Sequence, residues 1–416
     1  MLWLCSARSA YAYVDPGTGS MLFSIVLCSV TTIFFLFRII LIKLKRYLFL
    51  KNSLTSSKHQ FVVYSEGNQY YSVFKPVLDE FEARKIPVMY YSSASDDFLF
   101  QENYHYVNTG YIGKGNKAYF KLAFLNADVC LMTTPQLDVL QLKRSKNVKH
   151  YAHILHSIGF SYSYRLFSLD YYDSVLCDAE YQVPMIRELE HKRNLPEKKL
   201  PVVGSTYMDF NKQRLQNVRP EEKRQKYTLL IAPTWGEESL LNKYGEKLID
   251  QFIATDYKVI IRPHPHTLLI DKTLIDKLVK KYKTYSNIVW DMSVNNLESM
   301  ANSDLLLTDW SSIMLDYALL FHRTFLYTGT NSSNEMFDCH ELENPERWRY
   351  DMISQIGRKL YPEDMKKIVR IIDDMKDDVN YKKNIKKASA YFWAHHGESA
   401  KNVVDFLEDI QKSFYV

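Results

Sequence analysis

"DLLLTDWSSIMLDYALLF", residues 304–321, joins a strand pattern to a helix pattern with no room for a hairpin between them. Leu305, Leu306 and Leu307 are an unbroken apolar run, as in a strand covered on both faces. SSIMLDYALLF is too long for such a strand and reads as a largely buried helix. A buried strand feeding a helix is half of a crossover between parallel strands. Thr308 or Asp309 suits the helix N-cap. Ser311 and Ser312 then fall in the first turn, where backbone N–H groups lack a partner inside the helix. Such a start can simply cap itself, the plainer reading, or it can hold a phosphate group.

The same rhythm runs through the chain. Strand patterns occur at QFVVYS (60–65), IPVMYYS (86–92), ADVCLMTT (127–134), HYAHILHS (150–157), SVLCD (174–178) and LPVVGS (200–205). A polar break, TYMDFNKQRLQNVRPEEKRQK, follows at 206–226. The rhythm restarts with YTLLIAPTW (227–235), YKVIIRPHPH (257–266), NIVWD (287–291) and TFLYT (324–328). Two strand–helix runs around a charged break predict an α/β molecule with a pair of Rossmann-type domains and a cleft between them. The expected boundaries are an N-terminal domain at 59–210, a linker at 211–226, a C-terminal domain at 227–385, and a last helix at 386–416 that packs back.

The N-terminus follows different rules. Pro16 to Phe37 carries no charge, and Arg38, Lys43, Lys45, Arg46, Lys51 and Lys58 follow before the first acidic residue, Glu66. The run is long enough for a transmembrane helix at 17–42, after a segment at 1–16 and before a basic juxtamembrane linker at 43–58. The basic cluster puts everything beyond the span on the cytoplasmic side. DPGTGS (15–20) reads as a turn at the outer membrane edge. A signal peptide and an interfacial helix are the competing readings. Elsewhere the composition is globular: 46% hydrophobic, 24% charged, with a net charge of +5 that excludes a strong nucleic-acid footprint. The five cysteines form no CxxC pair, which argues for a reducing compartment and against structural zinc.

In open parallel sheets, ligands bind beyond the carboxyl ends of the strands. That rule selects His153, His156 and Gly159 after one strand, Gly204 and Ser205 after the next, then Thr234, then Arg262, His264 and His266, and finally Thr308, Asp309, Ser311 and Ser312. RPHPH is the most telling of these. Its prolines end the strand and stiffen the chain beneath an arginine and two imidazoles. The histidine spacing suits few metal sites. Arginine and histidine suit phosphate and the charge that grows during phosphoryl transfer.

LIAPTW, RPHPH and TDWSSIMLDY, in that order, resemble the CDP-glycerol glycerophosphotransferase family of teichoic-acid-type polymerases and primases. YSEGNQYYSVFKPVLDEF resembles its first strand, turn and helix, and HILHSIGFS and VVGSTYMD sit where it has a His-Gly motif and a turn before an aspartate. The resemblance covers roughly residues 60–328. It implies a GT-B fold and membrane association, with CDP-glycerol or a related CDP-alditol as donor. It also implies transfer of glycerol phosphate to a hydroxyl of a lipid-linked or polymeric acceptor, with release of CMP. By that resemblance His156 is the general base, His264 contacts the donor phosphates, and Ser311 and Ser312 bind phosphate. Thr234, Arg262, His266, Thr308 and Asp309 are the further donor-side candidates. His153, Gly159, Gly204 and Ser205 are candidate substrate contacts. Ser157 and Ile158 stand before Gly159 where the family has Gly directly after the histidine, so the acceptor stays unnamed. No residues mark a metal or cofactor site, and a divalent cation is left open. The expected location is a bacterial cytoplasmic membrane, single-pass, with the catalytic part on the cytoplasmic side. Two other classes stay open: a GT-B glycosyltransferase using a nucleotide sugar, and a membrane-tethered binding protein without catalysis.

Overall fold

The computed structural model describes residues 16–50, 57–159, 164–218, 225–293, 295–329, 336–344, 347–376 and 380–416. Expectations for residues 1–15 and for the linker stretches 51–56 and 219–224 lie outside the described residues. The chain divides into two units, Met1–Ser57 and Lys58–Val416.

Among the described residues, the first unit contains one helix, α1 (Pro16–Leu50). Its stretch Phe23–Leu41 is long and apolar enough to cross a membrane. Two boundaries differ from expectation. The turn read at 15–20 is helical from Pro16, because a proline at the first helical position is pre-set for the helix. The basic segment after residue 42 also stays helical to Leu50, since LIKLKRYLFL contains no breaker.

The second unit holds two parallel sheets. The first half runs β1 (His59–Ser65), α2 (Tyr71–Ala83), β2 (Val88–Ser92), β3 (Val107–Tyr111), α3 (Asn116–Leu122), β4 (Asn126–Met132), β5 (Asn147–Ile154), β6 (Ser174–Leu176), α4 (Gln182–Lys192) and α5 (Thr206–Leu215). The second half begins β7 (Thr228–Ile231), α6 (Leu240–Ile249), β8 (Lys258–Ile261), α7 (Pro265–Ile270), α8 (Lys272–Tyr282), β9 (Ile288–Trp290) and α9 (Leu297–Ala301). It continues β10 (Leu305–Thr308), α10 (Ile313–Phe321), β11 (Phe325–Thr328), α11 (Arg347–Ile356) and β12 (Gly357–Leu360), then α12 (Ile368–Lys376), α13 (Asn380–Phe392) and α14 (Ser399–Lys412).

The strand orders are β3-β2-β1-β4-β5-β6 and β12-β11-β10-β7-β8-β9. Both are the doubly wound order in which the chain leaves the first strand, builds outward, then crosses back to build the other way. The reversal lies between β1 and β4 in one sheet and between β7 and β10 in the other. There Val63 sits between Tyr90 and Leu131, and Leu230 between Ile260 and Leu306. Central strands such as β7 and β10 are buried at every residue, which is why they read as unbroken apolar runs. The segment LPVVGS forms no full strand. It pairs with the flank of β6 through an isolated bridge between Val202 and Cys177, and the preceding Lys199 bridges to Ser174.

Each sheet carries its own apolar layer. Phe74, Val77 and Phe81 of α2 pack on the first sheet together with Val403, Val404, Leu407 and Ile410 of α14, whose spacing makes one helical stripe. Leu278 of α8 and Ile372 of α12 cover one face of the second sheet. The other face shares a cluster with the first half: Met314, Leu315 and Tyr317 of α10 pack with Ile158, Tyr181 and Met208.

Candidate active site

Loops that leave β7, β8 and β10 converge at the reversal point of the second sheet. They line a cavity of about 280 Å³ with Ala232, Pro233, Arg262, Pro263, His264, Ser311, Ser312 and Asp316, and Tyr207 of α5 adds a wall from the first half. Strand order explains the convergence, since the crossover leaves the loops after β7 and β10 diverging and opens a crevice between them.

The proline-rich segment holds its shape as the sequence suggests. His264 caps α7, and its Nδ1 accepts a hydrogen bond from the His266 backbone N–H at 3.1 Å. With Nδ1 occupied as acceptor, the neutral ring carries its proton on Nε2, free to donate elsewhere. Pro265 occupies the first helical position, where its missing N–H costs nothing. Burial, then the neighbouring His266, lowers the His264 pKa below its ordinary value. His266 is exposed and stacks on His264 and against Trp235 rather than lining the cavity. Arg262 reaches the cavity wall, but its guanidinium donates to Asp291 Oδ2 at 2.5 Å and to the Ser293 carbonyl at 2.7 Å. It is an anchored cation whose charge is already shared with a carboxylate.

The strand-to-helix turn differs from the sequence reading. α10 starts at Ile313 with Ser312 as its N-cap, so neither Thr308 nor Asp309 caps it. Both are fully buried and engaged elsewhere. The Thr308 hydroxyl donates to the Ala232 carbonyl at 2.6 Å. Asp309 accepts from the Thr234 N–H at 2.7 Å and the Leu240 N–H at 2.9 Å. They brace the β7 loop behind the cavity, and Thr234 is held there through its backbone. Ser311 and Ser312 stay at the wall, half-exposed.

His153 and His156 belong to an aromatic cluster at the end of β5 and do not line this cavity. His153 is fully buried between the edges of Tyr164 and Tyr172, and neither ring nitrogen has a protein partner. Burial, with some help from His156, lowers its pKa to about 3. His156 stacks on Tyr164, pairs its Nδ1 with the Tyr164 hydroxyl at 2.8 Å, and meets the edge of Tyr70. Burial lowers its pKa to about 4, so the ring is neutral at pH 7.

Gly159 and Gly204 act as close-packing points. At Gly159, φ is +81° and a Cβ would stand 2.3 Å from Leu315 of α10. At Gly204, φ is +87° and a Cβ would stand 2.5 Å from the Ala394 carbonyl. Only glycine fits such a backbone that closely. Ser205 is buried beside Asp178, to which it supplies a hydrogen bond.

Asp316 and Tyr207 are among the cavity residues that escaped the sequence reading, and the Tyr207 hydroxyl donates a hydrogen bond to Asp316 Oδ2 at 2.8 Å. A lone acid inside the apolar helix IMLDYALLF was the available signal. Among the described residues, no group of three or more His, Cys, Asp or Glu side chains could hold a metal ion.

The model of the family CDP-Glycerol:Poly(glycerophosphate) glycerophosphotransferase matches residues 191–409. No curated protein matches the chain. Among solved structures, the wall teichoic acid polymerase TagF is similar with a TM-score of 0.53 at 16% identity, over 85% of this chain and 90% of that one. The UDP-GlcNAc 2-epimerase of Methanocaldococcus jannaschii is similar with a TM-score of 0.53 at 15% identity, over 85% and 100%. That of Neisseria meningitidis bound to UDP-GlcNAc gives 0.53 at 13%, over 85% and 100%. These structural likenesses are likenesses of fold: a GT-B-like pair of parallel α/β layers.

Proposed function

Because the chain belongs to the CDP-glycerol:poly(glycerophosphate) glycerophosphotransferase family, whose model matches 191–409 of its 416 residues, we propose that it moves glycerol phosphate, or a similar alditol phosphate, from a CDP-linked donor to a hydroxyl of a lipid-linked or polymeric cell-envelope acceptor and releases CMP. The carrying observation is the cavity at the reversal point of the second sheet, where two serine hydroxyls, an imidazole and an arginine meet. We further propose that α1 anchors the enzyme in a bacterial cytoplasmic membrane with the second unit on the cytoplasmic side.

In this reading the acceptor oxygen attacks the phosphorus that bears the glycerol. A new P–O bond forms, and the bond to the bridging oxygen breaks toward CMP. By the family resemblance the hydroxyl proton goes to His156, which stands outside the donor cavity and would meet the acceptor from the end of β5. That requires the tautomer in which His156 Nδ1–H donates to the Tyr164 oxygen, leaving Nε2 to accept. Burial keeps His156 unprotonated and so ready, at the cost of making it a weak base. Charge develops on the transferred group and on CMP. Ser311, Ser312 and the Nε2–H of His264 lie where the donor diphosphate would rest, on backbone that needs no rearrangement. The domains assigned are 59–210 for the acceptor and 227–385 for the donor.

The test is direct. Purified full-length protein is given CDP-glycerol and a polyol-phosphate acceptor. Release of CMP together with incorporated glycerol phosphate is expected. Nucleotide release from a UDP-sugar with none from CDP-glycerol would transfer the assignment to sugar transfer. Binding of CDP-glycerol without turnover under any acceptor would leave a binding protein.

A further inference from the structure

Asp316 is 4% exposed and sits one helical turn beyond Ser312 on the same face of α10, on the cavity wall. Its two oxygens are unequal. Oδ2 accepts from Tyr207, whereas Oδ1 is out of solvent and has no hydrogen-bond partner in the protein. Among the described residues, no basic side chain forms an ion pair with it, and Arg262 across the cavity is paired with Asp291. A buried carboxylate with one neutral donor and no cation is expensive to keep charged. Protonation is the cheaper state, and it gives this residue of the cavity wall a hydrogen to donate.

We propose that Asp316 serves the pocket as a neutral carboxylic acid, accepting from Tyr207 through Oδ2 and donating through Oδ1–H to a phosphate oxygen of the bound CDP-linked donor. This rests on the donor-pocket reading above. An ionised Asp316 would repel the diphosphate at the same spot, so protonation state and donor affinity are tied. Burial raises the Asp316 pKa to about 7, with the Tyr207 hydrogen bond opposing the rise, so the tie operates near neutral pH. The groups that face it are few. Tyr207 comes from α5, and Arg214 on the same helix acts on that phenol. His264 and the Asp291-bound Arg262 come from the β8–α7 turn, and uncharged Asn296 precedes α9. Burial, then His266, lowers the His264 pKa below its ordinary value, away from the alkaline side where the fall is expected. The pairing also joins the two halves of the molecule, because Tyr207 follows the first sheet and Asp316 follows β10.

The experiment measures CDP-glycerol affinity by calorimetry, without acceptor, from pH 6 to pH 9. The diphosphate of this probe stays ionised throughout, so its own titration does not intrude. Wild-type affinity should fall above neutral pH, approaching about tenfold per pH unit. Asp316→Asn keeps the shape and an N–H donor, so its affinity should stay level and overtake wild type at the alkaline end. Tyr207→Phe removes the bond that favours the ionised carboxylate, and should move the fall to higher pH. A level wild-type profile, or equal slopes in wild type and Asp316→Asn, overturns the proposal while leaving the donor pocket standing. If Asp316→Asn does not fold, a Tyr207→Phe profile superimposed on wild type overturns it equally. No CDP-glycerol binding at any pH overturns the donor reading, and this inference with it.

Discussion

At the scale of single residues, the two motif histidines occupy different settings and should fail differently. His264 is on the cavity wall, while His156 is packed among tyrosines. His156→Ala and His264→Ala should each lose about 100-fold or more of kcat, the range expected for a lost acid or base. His264→Ala should also weaken CMP binding in calorimetry, and His156→Ala should not. Wild-type turnover by His156→Ala would place the base elsewhere. The acid limb of the rate profile carries the same information. A base with its pKa lowered to about 4 stays active as pH falls past 6, so kcat should hold until pH approaches 5. A loss centred on the ordinary histidine value would contradict the burial of His156. The residue types of the site were readable from RPHPH and TDWSS, because a Pro-flanked strand end and a strand-to-helix turn are local patterns. Arg262's diversion to Asp291 was not readable, since its partner lies 29 residues away on the next strand's loop.

At the scale of elements, α14 is fastened to the first half by α5. Asp209 accepts from the Gly397 N–H at 2.7 Å and the Ser399 N–H at 3.1 Å, which caps the start of α14 from another helix. Asp209→Ala should cost about 0.5–2 kcal/mol, the usual worth of an N-cap, read as a lower midpoint in urea unfolding. Gly204→Ala should cost more, because strain at positive φ, about 1–3 kcal/mol, adds to the clash with the Ala394 carbonyl. An unchanged midpoint in both variants would show that α14 contributes little to the fold. The missed elements are edge strands. β3 is VNTGY with three exposed residues, and β12 is GRKL with two half-exposed ones. Neither presents the apolar run that central strands need, so a pattern search passes over them.

At the scale of the whole molecule, buried titratable groups set how stability depends on pH. Burial raises Asp178 to about 8 and Asp316 to about 7. A carboxyl raised in the folded state contributes stability that is complete below its unfolded value and is lost as pH rises through the folded one. His153 and His156 are lowered, so their contribution is present above the unfolded histidine value and is lost as pH falls. An unfolded histidine has lost most of its charge by about pH 7.5, so between pH 7.5 and pH 8.5 the raised carboxyls govern the change, and urea midpoints should fall across that window. Asp178→Asn should flatten the fall, and a midpoint that rises from pH 7.5 to pH 8.5 would contradict the buried carboxyls. For topology, a reporter fused after Val416 should be active in the cytoplasm. Activity confined to the far side of the membrane would reverse the proposed orientation. By itself, the sequence determined the alternation of strands and helices, hence two parallel sheets, and which loops lie at carboxyl strand ends. Those are set by local periodicity and by breakers such as the prolines of RPHPH. Only the tertiary structure decided which loops share a cavity, that Asp309 braces β7, and that Tyr207 meets Asp316. These depend on strand order and on partners far apart in the chain, which local patterns do not encode.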